Sequence, residues 1–444
     1  MSKPITIRDP LWDTIHIDAV AGAVIDSPTF QRLRFIRQLG HAHLVYPGAT
    51  HTRFDHAVGV YHLARRALGV LRERGDLDRI DPIDCAVIPL AALLHDVGHY
   101  PFSHALEELE PGRIPGHHEE LVGRFLAEPA VARALAGVAA DAAARVEALI
   151  RGRSDSALAG LVSGSLDLDK IEYLKRDAHF AGVPYGDVDV DRLLHNLVLV
   201  NAPETGRPEI GVHEKGVAAL ESLLFAKYQM FRNVYWHHAV RAATVMYKRI
   251  VEDALDGGLV AADELVGATD EALMHLLEAR AAAAAGGAGA RIGAAIAALR
   301  SRQLPKRAAE VSAGEIDGAG DAAWLSADSA LRRRVERKLA GELGLPHDAV
   351  YVDFPEKPAM FGLDLLLRRR SGEVSRLGPT GRAGLIGLPR IADELYRSAR
   401  VLRLYTVGER RTVGTGDLVS LARTSERDVA AALDAGTALL SDVS

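Results

Sequence analysis

This sequence of 444 residues has a single cysteine and no long apolar run. The single cysteine, Cys85, excludes an internal disulfide and fits a reducing compartment. No apolar run approaches the roughly 20 residues that would span a bilayer. No charged and apolar leader opens the chain. We therefore expect a cytoplasmic protein without membrane association.

A strong excess of either charge is also missing. The chain has 53 Lys and Arg residues against 59 Asp and Glu residues, and its formal net charge of −6 argues against wholesale coating of nucleic acid. We interpret the local basic runs at 332–334, 337–338 and 368–370 as solvated helix or strand edges. Charged residues at 25% and hydrophobic residues at 48% are typical of a globular protein, and the length predicts two domains.

Two short stretches concentrate histidine and aspartate. Residues 51–56 read HTRFDH, and residues 94–99 read LHDVGH. The apolar run at 86–94 predicts a buried helix that places His95 and Asp96 in the interior. A histidine and an aspartate buried side by side need a cation, and His56 could supply a second imidazole. Such a mixed nitrogen and oxygen donor set suits Mn, Fe, Ni, Zn or Mg.

The remaining ligand is expected at residues 165–177, which read SLDLDKIEYLKRD. If this segment is a helix, Asp169, Tyr173 and Asp177 share one face because they are spaced by four residues. A helix face that lines an active site explains the position of Tyr173 better than the alternative, a solvated amphipathic helix. Asp167 competes with Asp169 for the metal, and spacing alone does not decide between them.

These motifs together resemble the H…HD…D pattern of the HD-domain metal-dependent phosphohydrolases. The segments at 30–40, 46–56, 95–104 and 167–177 are similar to the deoxynucleoside triphosphate triphosphohydrolases, which include the animal enzymes with a SAM and an HD domain. The resemblance implies a helical HD-domain core and a divalent metal cofactor. It also implies attack at the α-phosphorus, which converts a dNTP to deoxynucleoside and inorganic triphosphate.

The resemblance also implies roles for individual residues. The metal ligands would be His56, His95, Asp96 and Asp169. The catalytic residues around the reacting phosphate would be His99, His104, Glu107 and His118. The substrate contacts would be Gln38, Leu39, Arg53, Lys170, Tyr173 and Asp177. Among these, the two cations match phosphate contacts, Gln38 and Asp177 match positions near the 3′-hydroxyl, and Leu39 and Tyr173 match positions packed against the sugar ring. Which histidine protonates the leaving group stays open.

A second set of residues resembles the family's nucleotide activator site, where GTP or a dNTP assembles a homotetramer. The matching positions are Asp26, Gln31, Arg34, Arg302 and Lys306. The alternative for Gln31 and Arg34 is a solvent-facing polar stripe on the helix that Ser27 and Pro28 begin. We therefore expect a homo-oligomer, a dimer or a tetramer, that is activated allosterically by a nucleotide.

The later substrate helix departs from the animal pattern. Tyr228 stands in place of a phosphate-binding arginine, Arg232 in place of a histidine, and Trp236 in place of a tyrosine that closes the sugar pocket. The sequence of this helix looks closer to that of the bacterial members of the family. The selectivity between deoxyribonucleotides and ribonucleotides is therefore left open.

The chain is expected to be mainly α-helical and to have three parts. Residues 1–255 would form the HD-domain catalytic core, and residues 256–310 a helical extension with an Ala/Gly-rich loop at 281–290. Residues 311–444 would form a smaller α+β C-terminal region, with strands at 349–354 and 363–368 and helices at 383–398 and 426–440. The first ten residues would form a strand near Val212.

The favoured function is metal-dependent hydrolysis of dNTPs. One alternative keeps the metal site and changes the substrate: an HD phosphatase or phosphodiesterase that acts on another nucleotide. The other alternative is a nucleotide-binding or nucleic-acid-binding protein, in which the site senses or is vestigial. The histidines suited to proton transfer argue against this last reading, because a pure sensor does not use them.

Overall fold

The computed structural model describes residues 5–316, 322–356, 364–377 and 388–441. The α-helices of the described residues are α1 (Ala19–Ile25), α2 (Pro28–Gln31), α3 (Arg53–Glu73), α4 (Pro82–Leu94), α5 (His118–Leu126), α6 (Pro129–Ala136), α7 (Ala142–Ile150), α8 (Gly160–Ser163), α9 (Leu168–Ala181), α10 (Val190–His195), α11 (Val217–Met230), α12 (His238–Asp256), α13 (Asp270–Ala283), α14 (Gly287–Arg300), α15 (Ala313–Ile316), α16 (Trp324–Ala327), α17 (Ser329–Glu342), α18 (Leu388–Ala399), α19 (Thr415–Arg423) and α20 (Glu426–Asp434). The strands are β1 (Ile5–Asp9), β2 (Asp13–Ile17), β3 (Leu197–Asn201), β4 (Pro208–His213), β5 (Lys306–Ser312), β6 (Val350–Asp353), β7 (Leu365–Arg368), β8 (Val374–Leu377) and β9 (Val401–Thr406). The predicted fold class, mainly α with a smaller α+β region, is confirmed.

Helices α3 and α4 begin where the local sequence caps their free backbone N–H groups. Thr52 and Asp55 form a capping box at the start of α3, and Asp81 caps α4 ahead of Pro82. Both helices bury apolar faces, including Leu63 and Leu93, in one core with α9. The predicted buried helix before His95 is therefore present as α4.

The interface between α3 and α9 depends on a glycine. A Cβ atom at Gly59 of α3 would lie 2.0 Å from Oε1 of Glu172 in α9 and 2.8 Å from an Arg176 nitrogen. Arg176 is fully buried, and it donates to Glu172 and to Asp9 at the end of β1. The absence of a side chain at residue 59 thus allows a buried ion network to join two helices and the first hairpin.

The C-terminal strands complete two separate sheets. Strands β5, β9 and β6 form a three-stranded sheet, whose apolar side chains pack with α17 and α19. Strands β7 and β8 instead extend the β3–β4 pair to four strands, with β7 parallel to β4. The predicted strands at 349–354 and 363–368 correspond to β6 and β7, although residue 363 lies outside the described residues. The three-part division of the chain stays a prediction.

Other local predictions need correction. Strand β1 pairs with β2 and not near Val212, which lies opposite Leu197 of β3 and Leu367 of β7. A hairpin with its own neighbour closes a short loop and so costs less entropy. The Ala/Gly-rich segment is largely helical, since alanine favours α13 and α14 and only residues 284–286 connect them. Helix α20 ends at Asp434, earlier than predicted, and residues 383–387 of the helix expected at 383–398 lie outside the described residues.

The basic run at 332–334 is a solvated edge only at Arg334, whose side chain is 41% exposed. Arg332 is buried and lies 3.5 Å from Glu252, and Arg333 pairs with Glu252 and Asp253. These charges are neutralised inside the protein, so they do not form a polyanion-binding surface. In the described part of the chain, no helix combines the length and the apolarity that crossing a membrane requires.

Replacing Gly59 by alanine should destabilise the protein, because the new methyl group would overlap the Glu172 carboxylate. Overpacking of this kind typically costs about 1–3 kcal/mol. The matched control is Gly69→Ala in the same helix, where a Cβ atom has no neighbour within 4 Å and alanine should stabilise the helix by about 0.5–1 kcal/mol. Urea denaturation measures both free energies of unfolding. Equal effects of the two variants would contradict the close packing at Gly59.

Candidate active site

Four side chains from three places in the chain converge beside the α3–α9 interface. His56 lies in the first turn of α3, His95 and Asp96 directly follow α4, and Asp169 lies in the first turn of α9. His56 Nε2 lies 2.9 Å from Asp169 Oδ1 and 3.2 Å from His95 Nε2. His95 Nε2 lies 3.3 Å from Asp96 Oδ1. Only Asp169 has a side chain as much as 35% exposed, so the centre opens to solvent on the α9 side.

The tautomers of both histidines leave one nitrogen for a cation. His56 Nδ1 donates to Glu172 at 2.7 Å, and His95 Nδ1 donates to the Ala92 carbonyl oxygen at 2.8 Å. Each imidazole therefore directs Nε2 at the centre, where the two nitrogens lie 3.2 Å apart. This orientation by an outer hydrogen bond is typical of metal-binding histidines. Two imidazole nitrogens and two carboxylate oxygens fit a divalent cation of the borderline class.

The choice between Asp167 and Asp169, which spacing left open, has a clear geometry. Asp167 caps α9: its carboxylate accepts from the Lys170 backbone N–H at 2.9 Å and pairs with the Lys170 ammonium group. Asp169 instead directs Oδ1 at both imidazoles, at 2.9 Å from His56 and 3.5 Å from His95. The structure thus brings Asp169, and not Asp167, to the other three candidate ligands.

The ionisable groups around this centre shift the pKa values of His56 and Asp96. Burial alone would lower the pKa of His56, but hydrogen bonds to Asp169 and Glu172 raise it to about 10. Burial alone would raise the pKa of Asp96, but Arg53, which donates to its Oδ2 at 2.6 Å, holds it well below the usual range. A proton on His56 thus stands where a cation would balance the carboxylates.

A second cluster, formed by His99, His104, Glu107 and His118, adjoins the first. The Glu107 carboxylate accepts from His104 Nδ1 at 2.7 Å through one oxygen and from His118 Nδ1 at 2.6 Å through the other. The His99 ring is stacked on the His118 ring at 3.7 Å between centroids, and His99 Nε2 lies 3.1 Å from Asp96 Oδ1. Asp96 therefore lies between the two clusters. Both clusters bring ligand atoms close enough together to hold a cation.

The pKa values of His99 and His118 in the second cluster are shifted in opposite directions. Burial and the charge of Arg53 hold the pKa of His99 well below its usual range, so this imidazole is neutral. Burial would also lower the pKa of His118, but the Glu107 carboxylate outweighs it and raises the pKa. The His104 side chain is the most open of the three, at 50% exposure. Gly98 makes the arrangement possible, because a Cβ atom there would lie 2.1 Å from the His118 carbonyl oxygen.

The predicted substrate contacts lie around the same opening. The Tyr173 ring centroid is 6.5 Å from that of His56, and the Gln38 backbone N–H donates to the His51 carbonyl oxygen at 3.0 Å. Leu39 follows Gln38 and is partly buried against the core. Two predicted contacts are engaged within the protein: Arg53 with Asp96 and Ser103, and Lys170 with Asp167 and the Gly164 carbonyl oxygen.

Sequence reasoning missed three residues of this site. His51 Nε2 lies 2.7 Å from Asp177 Oδ1, and the Tyr235 hydroxyl donates to Asp177 Oδ2 at 2.7 Å. Glu172, the partner of His56, is the third. Its only sequence signal is its place three residues after Asp169 on a helix. The π-helical turn at Phe231–Tyr235 brings Tyr235 toward the pocket, whereas Trp236 is buried against Phe231.

The prediction for residue 236 therefore needs correction. The sequence predicted that Trp236 takes the place of a pocket tyrosine, but Tyr235 places its ring 6.3 Å from Tyr173 and its hydroxyl on Asp177. One extra residue in the π-helical turn shifts the facing side chain by one position. Tyr228 and Arg232, the other two departures, bond to each other at 2.6 Å near Ser398.

The five predicted effector residues lie in two separate groups. Gln31 accepts from Arg34 Nε at 2.8 Å, and Asp26 is exposed at the end of α1 in the same segment. Arg302 donates to the Leu44 carbonyl oxygen at 2.7 Å, and Lys306 begins β5. Among these described residues, no hydrogen bond or ion pair joins the first three to the last two.

Comparison with known families identifies two regions. The profile described as HD domain matches residues 53–160, and the profile described as HD associated region matches residues 188–380. The first match contains His56, His95 and Asp96 and ends shortly before Asp169. An HD domain is therefore present in this chain.

Several relatives are about a third identical to the chain over the part that aligns. An uncharacterized protein of Methanocaldococcus jannaschii is 35% identical over 272 residues, 61% of this chain and 54% of that protein. The uncharacterized protein YwfO of Bacillus subtilis is 34% identical over 258 residues, 57% of each chain. The deoxynucleoside triphosphate triphosphohydrolase SAMHD1 of Gallus gallus is 29% identical over 278 residues, 56% of this chain and 45% of that enzyme. The chain spans about half the length of the curated relatives it matches.

Two solved structures share the fold over nearly the whole chain. A hypothetical protein from Aquifex aeolicus superimposes with a TM-score of 0.68 at 25% identity, over 95% of this chain and 99% of that one. A phosphohydrolase from Bacteroides thetaiotaomicron also has a TM-score of 0.68, at 20% identity, over 91% of this chain and 100% of that one. The fold described above is therefore an established arrangement of these elements.

Replacing Glu172 by glutamine should weaken binding of a divalent cation, because the neutral amide accepts a weaker hydrogen bond from His56 Nδ1 and no longer increases the basicity of its Nε2. Loss of such an outer partner typically lowers metal affinity by about 10–100-fold. Titration calorimetry with Mn²⁺ measures the dissociation constant. The control is Glu73→Gln, an exposed carboxylate in the same helix as His56. An affinity equal to that of the unmodified protein, in a variant that is folded by circular dichroism, would contradict this role of Glu172.

Proposed function

We propose, from the premise that this chain carries an HD domain, that it is a metal-dependent phosphohydrolase that converts dNTPs to deoxynucleoside and inorganic triphosphate. The observation that carries the proposal is the position of Asp96. Its Oδ1 lies 3.3 Å from His95 Nε2 in the candidate metal centre and 3.1 Å from His99 Nε2 in the second histidine cluster. Ligands for a cation and groups for proton transfer thus meet at one carboxylate.

The candidate ligands are suited to activate water beside a phosphate. A divalent cation held by His56, His95, Asp96 and Asp169 would lower the pKa of bound water and stabilise charge on a phosphoryl oxygen. The protein contributes the fixed geometry, since Glu172 orients His56 and the Ala92 carbonyl orients His95. Arg53 contributes a buried positive charge at Asp96, 2.6 Å from its Oδ2.

The histidine cluster supports protonation of the leaving oxygen. In the proposed reaction a water oxygen bonds to the α-phosphorus, the bond to the 5′-oxygen breaks, and that oxygen takes a proton from an imidazole. His99 is a poor donor because its pKa is held low. The Glu107 carboxylate accepts from His104 Nδ1 and fixes this imidazole, whose side chain, at 50% exposure, is the one most accessible to substrate. We therefore assign the proton donor to His104, with His118 and Glu107 in support.

The surrounding side chains match a nucleotide with a deoxyribose. A triphosphate carries about four negative charges, and Lys170 and Arg53 stand beside the candidate ligands as cations. On the sugar side, Asp177 is held by His51 and Tyr235 near Tyr173, and Gln38 and Leu39 lie in the segment bonded to His51. The proposal therefore places the 3′-hydroxyl near Asp177 and Gln38 and packs Tyr173 and Leu39 against the ring.

Activation by a nucleotide is the second part of the proposal and rests on the resemblance of Asp26, Gln31, Arg34, Arg302 and Lys306 to an activator site. No described hydrogen bond or ion pair joins the group at 26–34 to the group at 302–306. We propose that an effector such as GTP or a dNTP binds these residues in a dimer or a tetramer. Acceleration of turnover together with a larger oligomer on size-exclusion chromatography is the expected sign of this site.

The first test is the identity of the products. Purified protein is incubated with each dNTP and NTP in Mn²⁺ or Mg²⁺, with and without GTP, and the products are resolved by ion-exchange chromatography. We expect inorganic triphosphate and deoxynucleoside in equal amounts. Pyrophosphate, orthophosphate or no turnover would reject the triphosphohydrolase and direct the search to monophosphates or cyclic nucleotides. In H₂¹⁸O the label should enter the triphosphate, because water attacks phosphorus.

Replacing His104 by glutamine should lower kcat by about 10²–10⁴-fold, the usual contribution of a positioned general acid. Mass spectrometry should still find at least one bound metal ion per chain, because His104 is not among the four candidate ligands of the first cluster. The control is His16→Gln, an exposed histidine on β2. Unchanged kcat in the His104 variant would remove this residue from the proposed mechanism.

A further inference from the structure

The segment that leads into the second histidine cluster has an unusual backbone. Phe102 and Ser103 are consecutive and both lie in the left-handed region, with φ of +57° and +62°. Residues with a side chain rarely adopt this conformation, and a neighbouring pair needs outside support. His104 follows at once, and the short helix Ser103–Glu108 carries both His104 and Glu107. The position of the two candidate catalytic residues therefore depends on what holds this turn.

A single buried carboxylate, that of Asp270, makes two of the supporting contacts. Asp270 is the first residue of α13, far from the turn in sequence, and only 2% of its side chain is exposed. Its Oδ1 accepts from the Phe102 backbone N–H at 2.7 Å. Its Oδ2 accepts from the Arg37 backbone N–H at 3.0 Å. The same carboxylate thus holds the strained turn and the residue before Gln38.

Further contacts close this arrangement on both sides. The Ser103 hydroxyl donates to the Arg37 carbonyl oxygen at 2.7 Å and accepts from Arg53 Nε at 3.0 Å. The His41 ring is stacked on the Phe102 ring at 4.3 Å, and a Cβ atom at Gly40 would lie 3.0 Å from the Phe102 carbonyl oxygen. The turn and the segment at 37–41 are therefore tied to each other, and Asp270 binds the backbone of both.

We propose that Asp270 is a positioning residue, which sets the phosphate side and the sugar side of the candidate active site relative to each other by holding the backbone N–H groups of Phe102 and Arg37. The inference rests on the proposed function for its catalytic consequence, but its structural part is independent of the substrate. Asp270 contacts neither candidate ligand nor substrate position directly. Its effect should therefore pass through His104 and Gln38.

The charge state of Asp270 offers a readout that a merely structural residue would not share. Burial raises the pKa of Asp270 to about 6, and the N–H groups of Arg37 and Phe102 only partly oppose this. The charged and titratable groups around it are Arg37 and Arg32, Glu271 of the same helix, and the Tyr247 hydroxyl. Above about pH 6 both oxygens accept. Below it, one oxygen carries a proton, and the side chain resembles asparagine.

The test compares Asp270→Asn with the matched control Glu271→Gln, the next residue, whose side chain is exposed and pairs with Arg300. In the full-length protein with Mn²⁺ we expect Asp270→Asn to lower kcat for dNTP about 10–100-fold, because misplacement of a catalytic group by about 1 Å can cost 10²-fold. KM should change less than kcat. The ratio of the two kcat values, unmodified over Asp270→Asn, should fall toward one below pH 6. Glu271→Gln should keep kcat within about twofold.

Hydrogen exchange of the backbone amides supplies a second readout that does not depend on turnover. In Asp270→Asn, the amides of Phe102 and Arg37 should exchange faster, while the α4 core should not change. Unchanged exchange at both amides, or an unchanged kcat at pH 7.5, would overturn the positioning role even if the protein hydrolyses dNTPs. Faster exchange in a protein without dNTP turnover would instead reject the proposed function and leave the positioning role standing.

The unmodified protein gives the same test if Asp270→Asn does not fold. Protonation of Asp270 creates the isostere in place, so the protection factor of the Phe102 amide should fall between pH 7 and pH 5. The protection factors of amides in α4, measured in the same samples, provide the reference. A constant protection factor at Phe102 across this range would overturn the proposal.

Discussion

The buried carboxylate of Glu172 is the interaction on which the rest of the structure depends. One oxygen accepts from His56 at 2.7 Å, and the other accepts from Arg176 and from the Trp12 indole at 2.8 Å each. Burial would raise the pKa of Glu172, but the Arg176 and His56 charges lower it to about 2, so it stays ionised. Helix α3, helix α9 and the loop after β1 are thereby fixed around one charge. Its hydrogen bonds are directional, so they orient these three segments more sharply than apolar contacts could.

The same arrangement explains why the centre is built from buried charges at all. Removal of one partner from a buried ion network costs roughly 3–5 kcal/mol, because the remaining charge is left unbalanced. Arg176 balances Glu172 and Asp9, and Arg53 balances Asp96. The carboxylate of Asp96 is therefore held in its ionised form before any cation arrives. A preorganised site of this kind binds a cation without reordering its side chains.

The two histidine-containing clusters divide the chemistry between themselves by environment. Both lie beside Asp96, yet the first directs imidazole nitrogens and carboxylates at one point, and the second pairs its imidazoles with Glu107. His99 is stacked on His118 and stays neutral, whereas the Glu107 carboxylate raises the pKa of His118 against the effect of burial. Residue types that look equivalent in the sequence acquire different protonation states through burial and neighbouring charge.

The sequence by itself determined the helical class and the buried helix before His95, because helical periodicity is a local property. The residues of the second cluster were predicted from the family resemblance alone. The sequence did not determine which of Asp167 and Asp169 faces the imidazoles, since helix capping by Asp167 depends on where α9 begins. Nor could it find Glu172, Tyr235 or Asp270 as parts of the site, or the β1–β2 pairing. Those assignments depend on contacts between segments that are distant along the chain and on a π-helical turn that shifts one facing residue. Only tertiary packing decides such contacts, because burial and charge partners exist only once the chain has folded.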